Sequence, residues 1–281
     1  MSHTAQPSIH LQQGATITYK LWQGGPQLLL CLHGYGEGAH YFEALAAHLT
    51  VNYTLLAINF PAHHGSTWPE TEAFTPSDLY NCIQQIPTFA GKQFHVMGYS
   101  MGGRVALSFA EHYPQLMNSL FLLASDGLQT NFWYYISTQT TWGNRFFKRT
   151  MENPAWIFKL LQLTQQLKLI NSSVVKFAMH YLHEPNARAL LYQRWTVMRA
   201  FYPNRKALAL LLQQYAIPVR MVFGKYDKII KYKRGEAFKR LMGNNATVTV
   251  LPGGHQLLQA KWMEHWLPFI ATLHESVATN R

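Results

Sequence analysis

The sequence has few cysteines, few acidic residues and no long apolar run. Its two cysteines, Cys31 and Cys82, form no spacing pattern, so nothing indicates a disulfide framework, and a reduced compartment is the default. Without about 18 uninterrupted apolar residues, we expect no membrane-spanning helix and no stable membrane insertion. The polar start "MSHTAQPSIHLQQG" lacks a basic segment followed by an apolar one, which argues against a signal peptide and favours a cytoplasmic location.

Acidic residues are scarce relative to basic ones, with 13 Asp and Glu against 24 Lys and Arg and a net charge of +11. The excess concentrates between residues 128 and 202, where nine basic residues face two acidic ones. A basic surface attracts anionic substrates, nucleic acid or acidic lipid. The segment has no RNA-binding signature, so we expect no nucleic-acid partner. Its basic residues are Arg145, Lys148, Arg149, Lys159, Lys168, Lys176, Arg188, Arg194 and Arg199.

Short apolar runs alternate with helical patterns through most of the chain. "QLLLCLHG", "YTLLAINF", "QFHVMGY", "SLFLLAS", "VRMVFG" and "ATVTVLPG" are typical of buried strands, and each is followed by a helix-like or turn-like segment. The last of these helices is predicted within residues 255–275. This alternation predicts an α/β fold, with a mostly parallel sheet and helices on both faces.

The alternation stops between residues 128 and 202, where no strand is convincing. About 75 residues are too many for a loop without its own structure, so we predict an inserted helical subdomain there. Residues 1–127 and 203–281 would then be the two parts of one α/β core. We expect most of the aromatic residues near the start of the insertion to form its own core, although they could instead line a substrate pocket. They are Trp133, Tyr134, Tyr135, Trp142, Phe146 and Phe147.

"GYSMGGR" at residues 98–104 places glycines on both sides of Ser100. The motif G-x-S-x-G lies between a predicted strand and a predicted helix, which is the setting of a nucleophile elbow. The turn is tight enough that flanking side chains would clash, and glycine relieves this. The helix N-terminus also favours developing negative charge. Ser100 is therefore the candidate nucleophile; the alternative is an inert serine in a glycine-rich turn.

A serine nucleophile needs a base and an orienting acid, which follow it in this fold class in the order acid, then histidine. His255 lies in "LPGGHQLL", directly after the last predicted strand, and is the candidate base. Asp227 follows the preceding strand and is the candidate acid. Asp126, in "LLASDGL", is the rival acid and otherwise forms an Asp-Gly turn.

An oxyanion hole is predicted at the end of the strand in "CLHGYGEG". The backbone N–H groups of Tyr35 and Met101 are the candidate donors, because both would lie beside Ser100. His33 and Gly34 are candidate substrate-contacting residues in the same loop, and we expect His33 to brace the loop rather than move protons. The alternative is a simple glycine turn that ends the strand.

These elements, in this order and at the ends of strands, resemble the α/β-hydrolase superfamily from about residue 15 to 274. The resemblance implies an eight-stranded sheet, a helical cap at 128–202, a small-molecule substrate and no cofactor. Ser100 disfavours the dehalogenases and epoxide hydrolases of this superfamily, which carry aspartate at the elbow. Asn59 in "INFPAHHGST" departs from the aspartate of many relatives. We expect no metal site, because His63-His64 has no third ligand at a plausible spacing.

Three functions remain open. The first is a serine esterase or a related acyl, thioester or carbon–carbon hydrolase. The second comes from "GYSMGGRVAL", which is similar to the elbow of the menaquinone-pathway synthase that eliminates pyruvate from a polyanionic substrate. There Arg104 would hold a carboxylate. The third is a catalytically silent fold used for binding, which the complete set of Ser100, Asp227 and His255 argues against. Trp133 and Trp142 are further candidates for substrate contact.

Overall fold

A computed structural model describes residues 7–11, 14–129, 131–166 and 182–271 of the chain. Lys168 and Lys176, and the end of the helix predicted within 255–275, lie outside the described residues. The chain divides into two compact units. The first comprises Met1–Thr67, Thr75–Gln129 and Phe201–Arg281, and the second comprises Trp68–Phe74 and Thr130–Ala200.

The first unit contains an eight-stranded sheet in the order β1-β2-β4-β3-β5-β6-β7-β8. β1 and β2 pair antiparallel, β2 pairs antiparallel with β4, and the other strands run parallel to one another. The predicted mostly parallel sheet is thus confirmed, with eight strands as the resemblance implied. The strands are β1 Ser8–His10, β2 Thr16–Trp22, β3 Gln27–Leu32, β4 Tyr53–Ile58, β5 Phe94–Tyr99, β6 Met117–Leu123, β7 Val219–Gly224 and β8 Ala246–Leu251.

The central strands are buried on both faces, which explains their continuous apolar sequences. β4 and β5 have no exposed residue, and β3 is buried from Leu28 onward. Parallel strands covered by helices on both faces lose the alternation that a half-exposed strand shows. The sheet and its flanking helices contribute a core cluster that includes Phe42, Tyr53 and Trp266.

Several helices begin directly after a residue whose side chain caps the helix N-terminus, and α2 (Pro76–Gln84) is one of them. α2 starts with a capping box in which Thr75 Oγ1 accepts the Asp78 N–H and the Asp78 carboxylate accepts the Thr75 N–H. The described α-helices of the first unit are α1 Glu43–Leu49, α2 Pro76–Gln84, α3 Met101–His112, α8 Arg205–Gln214, α9 Lys233–Met242 and α10 Ala260–Ala271; those of the second are α4 Phe132–Gln139, α5 Thr141–Glu152, α6 Ala155–Gln166 and α7 Pro185–Val197.

Within residues 131–166 and 182–200, the second unit consists of helices joined by short turns, and it has a small core of its own. Phe147, Met151 and Leu182 are its buried centre, and residues of α6 and α7 pack around them. The Arg188 guanidinium donates to the carbonyl oxygens of Met151, Leu182 and His183, and so ties α7 to the end of α5. An arginine whose guanidinium is held by three backbone carbonyls has a structural role, which argues against its binding a substrate.

Asn59, the residue that departs from the superfamily pattern, is fully buried and keeps the loop after β4 in contact with its neighbours. Its Oδ1 accepts the Ala39 N–H at 2.6 Å, and its Nδ2 donates to Thr18 Oγ1 at 2.8 Å. An amide can both donate and accept at this point, whereas an ionised aspartate can only accept. Asn59 therefore satisfies two buried partners without burying a charge.

Both cysteines are buried free thiols. Cys31 lies in β3 and Cys82 in α2. Burial raises the pKa of Cys82 to about 12, with the charge of Asp78 acting in the same direction, and burial also raises the pKa of Cys31. Thiols that stay protonated at neutral pH are poor nucleophiles. Neither cysteine competes with Ser100 as a nucleophile.

Candidate active site

Ser100 lies in the sharp turn between β5 and α3, with its backbone at φ 52° and ψ −117°. A positive φ is unfavourable for serine and persists only where the surrounding structure enforces it. Here the Ser100 N–H donates to the Leu123 carbonyl, and the Ser100 carbonyl accepts the Gly103 and Asp126 N–H groups. These three backbone bonds hold the strained turn between two neighbouring strands.

Two of the elbow glycines are required by close contacts between backbones. A Cβ on Gly98 would lie 2.6 Å from the Gly102 carbonyl oxygen, and a Cβ on Gly102 would lie 2.0 Å from the Leu32 carbonyl oxygen. Real Cβ atoms essentially never approach other atoms this closely. The glycines around Ser100 therefore let α3 start directly against β3 and β5.

Replacing Gly102 with alanine should destabilise the protein strongly. The added methyl group meets a backbone oxygen of the central sheet, which cannot rotate away. We expect the free energy of unfolding to fall by about 3 kcal/mol or more, at or above the usual range for overpacking. Denaturant unfolding of Gly102→Ala measures this. The matched control is Gly254→Ala, where a Cβ has nothing within 4 Å; equal stability of the two variants would contradict the contact.

Ser100, His255 and Asp227 form a continuous hydrogen-bonded chain. Ser100 Oγ lies 2.9 Å from His255 Nε2, and His255 Nδ1 lies 2.7 Å from Asp227 Oδ2. The carboxylate fixes the ring so that Nδ1 carries the proton and Nε2 accepts from the serine hydroxyl. The structure thus brings together the three side chains that the sequence analysis selected.

Asp227 is held by the loop after β7. Its side chain is fully buried, and Oδ1 accepts the N–H groups of Ile229 and Ile230 at 2.8 and 2.9 Å. One carboxylate oxygen is therefore used by the backbone, while the other faces His255. Buried carboxylates persist when they are hydrogen-bonded in this way.

Asp126, the rival acid, has a different partner. Its Oδ2 lies 3.5 Å from Nη1 of Arg104, and its backbone N–H bonds to the Ser100 carbonyl. The Arg104 side chain is only 8% exposed. The pair therefore braces α3 against the turn after β6. Arg104 is engaged within the core, which argues against the substrate-binding role predicted for it.

The loop that carries Tyr35 is closed by hydrogen bonds on both sides of that residue. The Gly34 N–H donates to Glu37 Oε2 at 3.1 Å, and the Gly36 N–H donates to His63 Nε2 at 3.1 Å. Met101 is the first residue of α3, where N–H groups have no partner in a preceding helical turn. The two predicted oxyanion donors therefore lie in a braced loop and at a helix N-terminus.

His33 is fully buried, and both ring nitrogens bond to the backbone. Nδ1 lies 2.7 Å from the Gly34 carbonyl oxygen, and Nε2 accepts the Phe60 N–H at 3.0 Å. These contacts agree with the bracing role and argue against direct substrate contact. Gly34 is packed between the Tyr99 ring and the Glu37 carboxylate, since a Cβ there would lie 3.1 Å from the ring and 2.8 Å from Oε2.

His63 also braces the loop, because its Nδ1 lies 2.8 Å from the Pro61 carbonyl oxygen.

Over the described residues, no group of three histidine, cysteine or acidic side chains is arranged to hold a metal ion. No described helix is long and apolar enough to cross a membrane.

Glu37 is a titratable residue that the sequence analysis missed. Burial raises its pKa to about 7, while the Gly34 N–H and the nearby His255 act in the opposite direction. Tyr99 is adjacent: its hydroxyl donates to the His255 carbonyl at 3.3 Å, and burial followed by the charge of Glu37 raises its pKa. The only signal in the sequence was a lone acid in a glycine-rich turn.

We expect Glu37→Gln to stabilise the protein at alkaline pH. The folded-state pKa of Glu37 is raised above its ordinary value of 4.5, so its contribution to stability is complete below that value and is lost as pH rises through about 7. Glutamine keeps an acceptor for Gly34 without a buried charge. The variant should match wild type near pH 5 and exceed it by about 2 kcal/mol at pH 8.5. Denaturant unfolding across this pH range measures the difference in free energy of unfolding between the variant and wild type. A difference that does not change with pH would contradict the raised pKa of Glu37.

The aromatic residues of the second unit divide into two groups. Tyr134 and Phe147 are buried, Tyr134 donating to the Met198 carbonyl at 3.2 Å. We expected most of the six aromatic residues near the start of the insertion to form a core. This expectation is wrong for four of the six, of which Trp133 and Trp142 are 72% and 64% exposed. A substrate role for Trp133 and Trp142 stays a prediction. The other two exposed residues are Tyr135 and Phe146.

The family model for the alpha/beta hydrolase fold matches residues 27–258. This chain belongs to that family and is a hydrolase of it. An uncharacterised hydrolase, YugF of Bacillus subtilis, is 23% identical over 86% of this chain and 88% of its own. Monoacylglycerol lipase ABHD6 of Bos taurus is 22% identical over 88% of this chain and 76% of its own. The solved structure of a thermophilic esterase from Thermogutta terrifontis superposes with a TM-score of 0.68 at 16% identity, covering 97% of this chain and 99% of that one.

Proposed function

We propose that the protein is a serine esterase that cleaves a small or medium ester. The observation that carries this proposal is the chain of contacts Ser100 Oγ–His255 Nε2–Asp227 Oδ2, at 2.9 and 2.7 Å, on a strained turn at a helix N-terminus. Nucleophile, base and orienting acid within hydrogen-bond reach are the requirements for activating a serine. The esterase and the monoacylglycerol lipase among the similar proteins support an ester substrate.

In the first half-reaction, Ser100 Oγ attacks the acyl carbon as its proton passes to His255 Nε2. The carbonyl oxygen becomes an oxyanion, which the N–H groups of Met101 and Tyr35 stabilise. Asp227 stabilises the resulting imidazolium. His255 then protonates the departing alkoxide, which leaves an acyl group on Ser100.

In the second half-reaction, water takes the place of the alcohol. Its proton passes to His255 Nε2 while its oxygen attacks the acyl carbon. Collapse of the intermediate returns the proton to Ser100 and releases the acid. No group outside the chain is required, because the triad supplies nucleophile and base, and the backbone supplies the electrophilic contacts.

We further propose that the second unit, which overlaps the cap predicted at 128–202, selects among substrates. Its exposed aromatic residues include Trp133 and Trp142. If these side chains contact the acyl group, Trp133→Ala and Trp142→Ala should shift the preferred acyl chain length without abolishing turnover. An unchanged preference in both variants would remove this role.

A p-nitrophenyl ester series from acetate to palmitate tests the activity, with inactivation by an organophosphate as a check on the nucleophile class. We expect turnover with a chain-length optimum that the organophosphate abolishes. Organophosphate-insensitive turnover, or none on any ester, would contradict the proposal.

Arg104, the residue that suggested the polyanion-specific lyase, is paired with Asp126, so no observation of the site favours that alternative.

A further inference from the structure

α5 exposes a stripe in which aromatic and basic residues alternate. Trp142, Arg145, Phe146 and Arg149 are spaced at i, i+3, i+4 and i+7, which places them on one face of the helix. All four are exposed, with Trp142 at 64% and Phe146 at 56%. The opposite face is buried and consists of Gly143, Phe147, Thr150 and Met151.

α6 continues the stripe with the same spacing. Trp156, Lys159, Leu160 and Leu163 follow one another at i, i+3, i+4 and i+7 and are exposed. The rings of Phe146 and Trp156 lie 5.2 Å apart and join the two stripes. We call these eight side chains of α5 and α6 the exposed stripe. The apolar residues of α6 that pack against the unit's core are Ile157, Phe158 and Leu161.

A cavity opens in the middle of the exposed stripe. It has a volume of about 400 Å³ and is lined by Phe146, Arg149, Thr150, Asn153 and Trp156. Two aromatic rings and one guanidinium thus border the same depression. Such a site suits a group that carries negative charge beside apolar surface, as a phospholipid headgroup and its glycerol do.

Lys148, which neighbours the exposed stripe on α5, is paired with a carboxylate. Lys148 Nζ lies 3.1 Å from Glu70 Oε1, and this hydrogen bond, followed by the charge of Glu70, raises the pKa of Lys148. Within the part of the chain that the structure describes, no carboxylate lies within ion-pair distance of Arg145, Arg149 or Lys159. Three cations and five apolar side chains therefore share one outward face.

We propose that the exposed stripe binds the surface of a membrane that contains anionic phospholipids. Exposed aromatic and aliphatic residues beside Lys and Arg are the signature of helices that lie in the bilayer interface. The net charge of +11 acts in the same direction. A second copy of the chain fits less well, because a two-fold interface would bring the same cations together. The proposal concerns binding alone and does not depend on the esterase activity.

Sedimentation with vesicles tests the proposal, using Ser100→Ala as the parent so that no lipid is hydrolysed. We expect binding to phosphatidylcholine vesicles that contain phosphatidylglycerol in equal parts, and much weaker binding to phosphatidylcholine alone. Arg145→Gln with Arg149→Gln should lower the partition coefficient about 30-fold, since each basic residue near such a surface contributes about fivefold. Phe146→Ser should lower it as well.

Matched controls lie on exposed helices of the first unit. Lys239→Gln with Arg240→Gln removes the same charge, and Leu210→Ser removes an apolar side chain that is 68% exposed. Both should bind nearly as the parent does. The proposal is overturned by absence of binding, by equal binding to both vesicles or by equal losses in the controls. Self-association that Phe146→Ser abolishes, in the absence of vesicle binding, would assign the stripe to a second copy instead.

Discussion

Replacing Ser100 with alanine should lower kcat on the best ester by about 10⁴- to 10⁶-fold while leaving the fold intact. The large effect is expected because nucleophile, base and acid act as one unit, so removing the nucleophile forfeits nearly all of their contribution. The 2.9 Å contact between Ser100 Oγ and His255 Nε2 is the geometric basis of this expectation. Steady-state kinetics of the two proteins on the same ester provide the measurement.

The control for Ser100→Ala is a neighbouring serine outside the chain of contacts. Ser125 lies after β6, is fully buried, and its Oγ donates to the Asp126 carbonyl at 2.7 Å. Ser125→Ala should keep kcat within a small factor of wild type. Near-normal activity of Ser100→Ala would show that the nucleophile lies elsewhere.

Replacing Asp227 with asparagine should lower kcat by about 10⁴-fold. Asparagine can still accept the Ile229 and Ile230 N–H groups through Oδ1, so the loop should keep its shape. The amide nitrogen Nδ2 of the new asparagine would face His255 Nδ1 and donate a hydrogen bond to it. The ring would then carry its proton on Nε2, where it cannot accept from Ser100. Kinetics across a pH series measure the loss.

Asp126→Asn is the matched control, because Asp126 is the rival acid and its carboxylate pairs with Arg104 at 3.5 Å. We expect a modest loss of stability and a kcat close to wild type. If Asp126→Asn lost more activity than Asp227→Asn, the acid would be misassigned.

The sequence predicted most of the fold because buried parallel strands carry a strong signal. β3, β4 and β5 are largely apolar, and each is followed within about three residues by a glycine, a proline or the elbow serine. The boundaries of the second unit were harder to predict. The segment Trp68–Phe74 belongs to it although it lies far from residue 130 in sequence. Its Phe74 N–H bonds to the Val197 carbonyl, a contact that no local pattern contains.

The proximity of Ser100, Asp227 and His255 was predictable because each follows a strand of a parallel sheet, whose carboxyl ends meet at one edge. Glu37 and Tyr99 were missed because the burial that raises their pKa values depends on packing around Gly34 rather than on a sequence motif. The exposed aromatic residues of α4 and α5 were assigned to the core because hydrophobic character favours burial. That rule works in one direction only, and exposed apolar side chains are common.

The most direct test of the account is mass spectrometry of the protein after reaction with an organophosphate such as paraoxon. We predict a single covalent adduct that forms in step with the loss of esterase activity and maps to the peptide containing Ser100. Ser100→Ala should form none, and Asp227→Asn should form it far more slowly. An adduct on another residue, or inactivation without an adduct at Ser100, would contradict the proposal that Ser100 is the nucleophile.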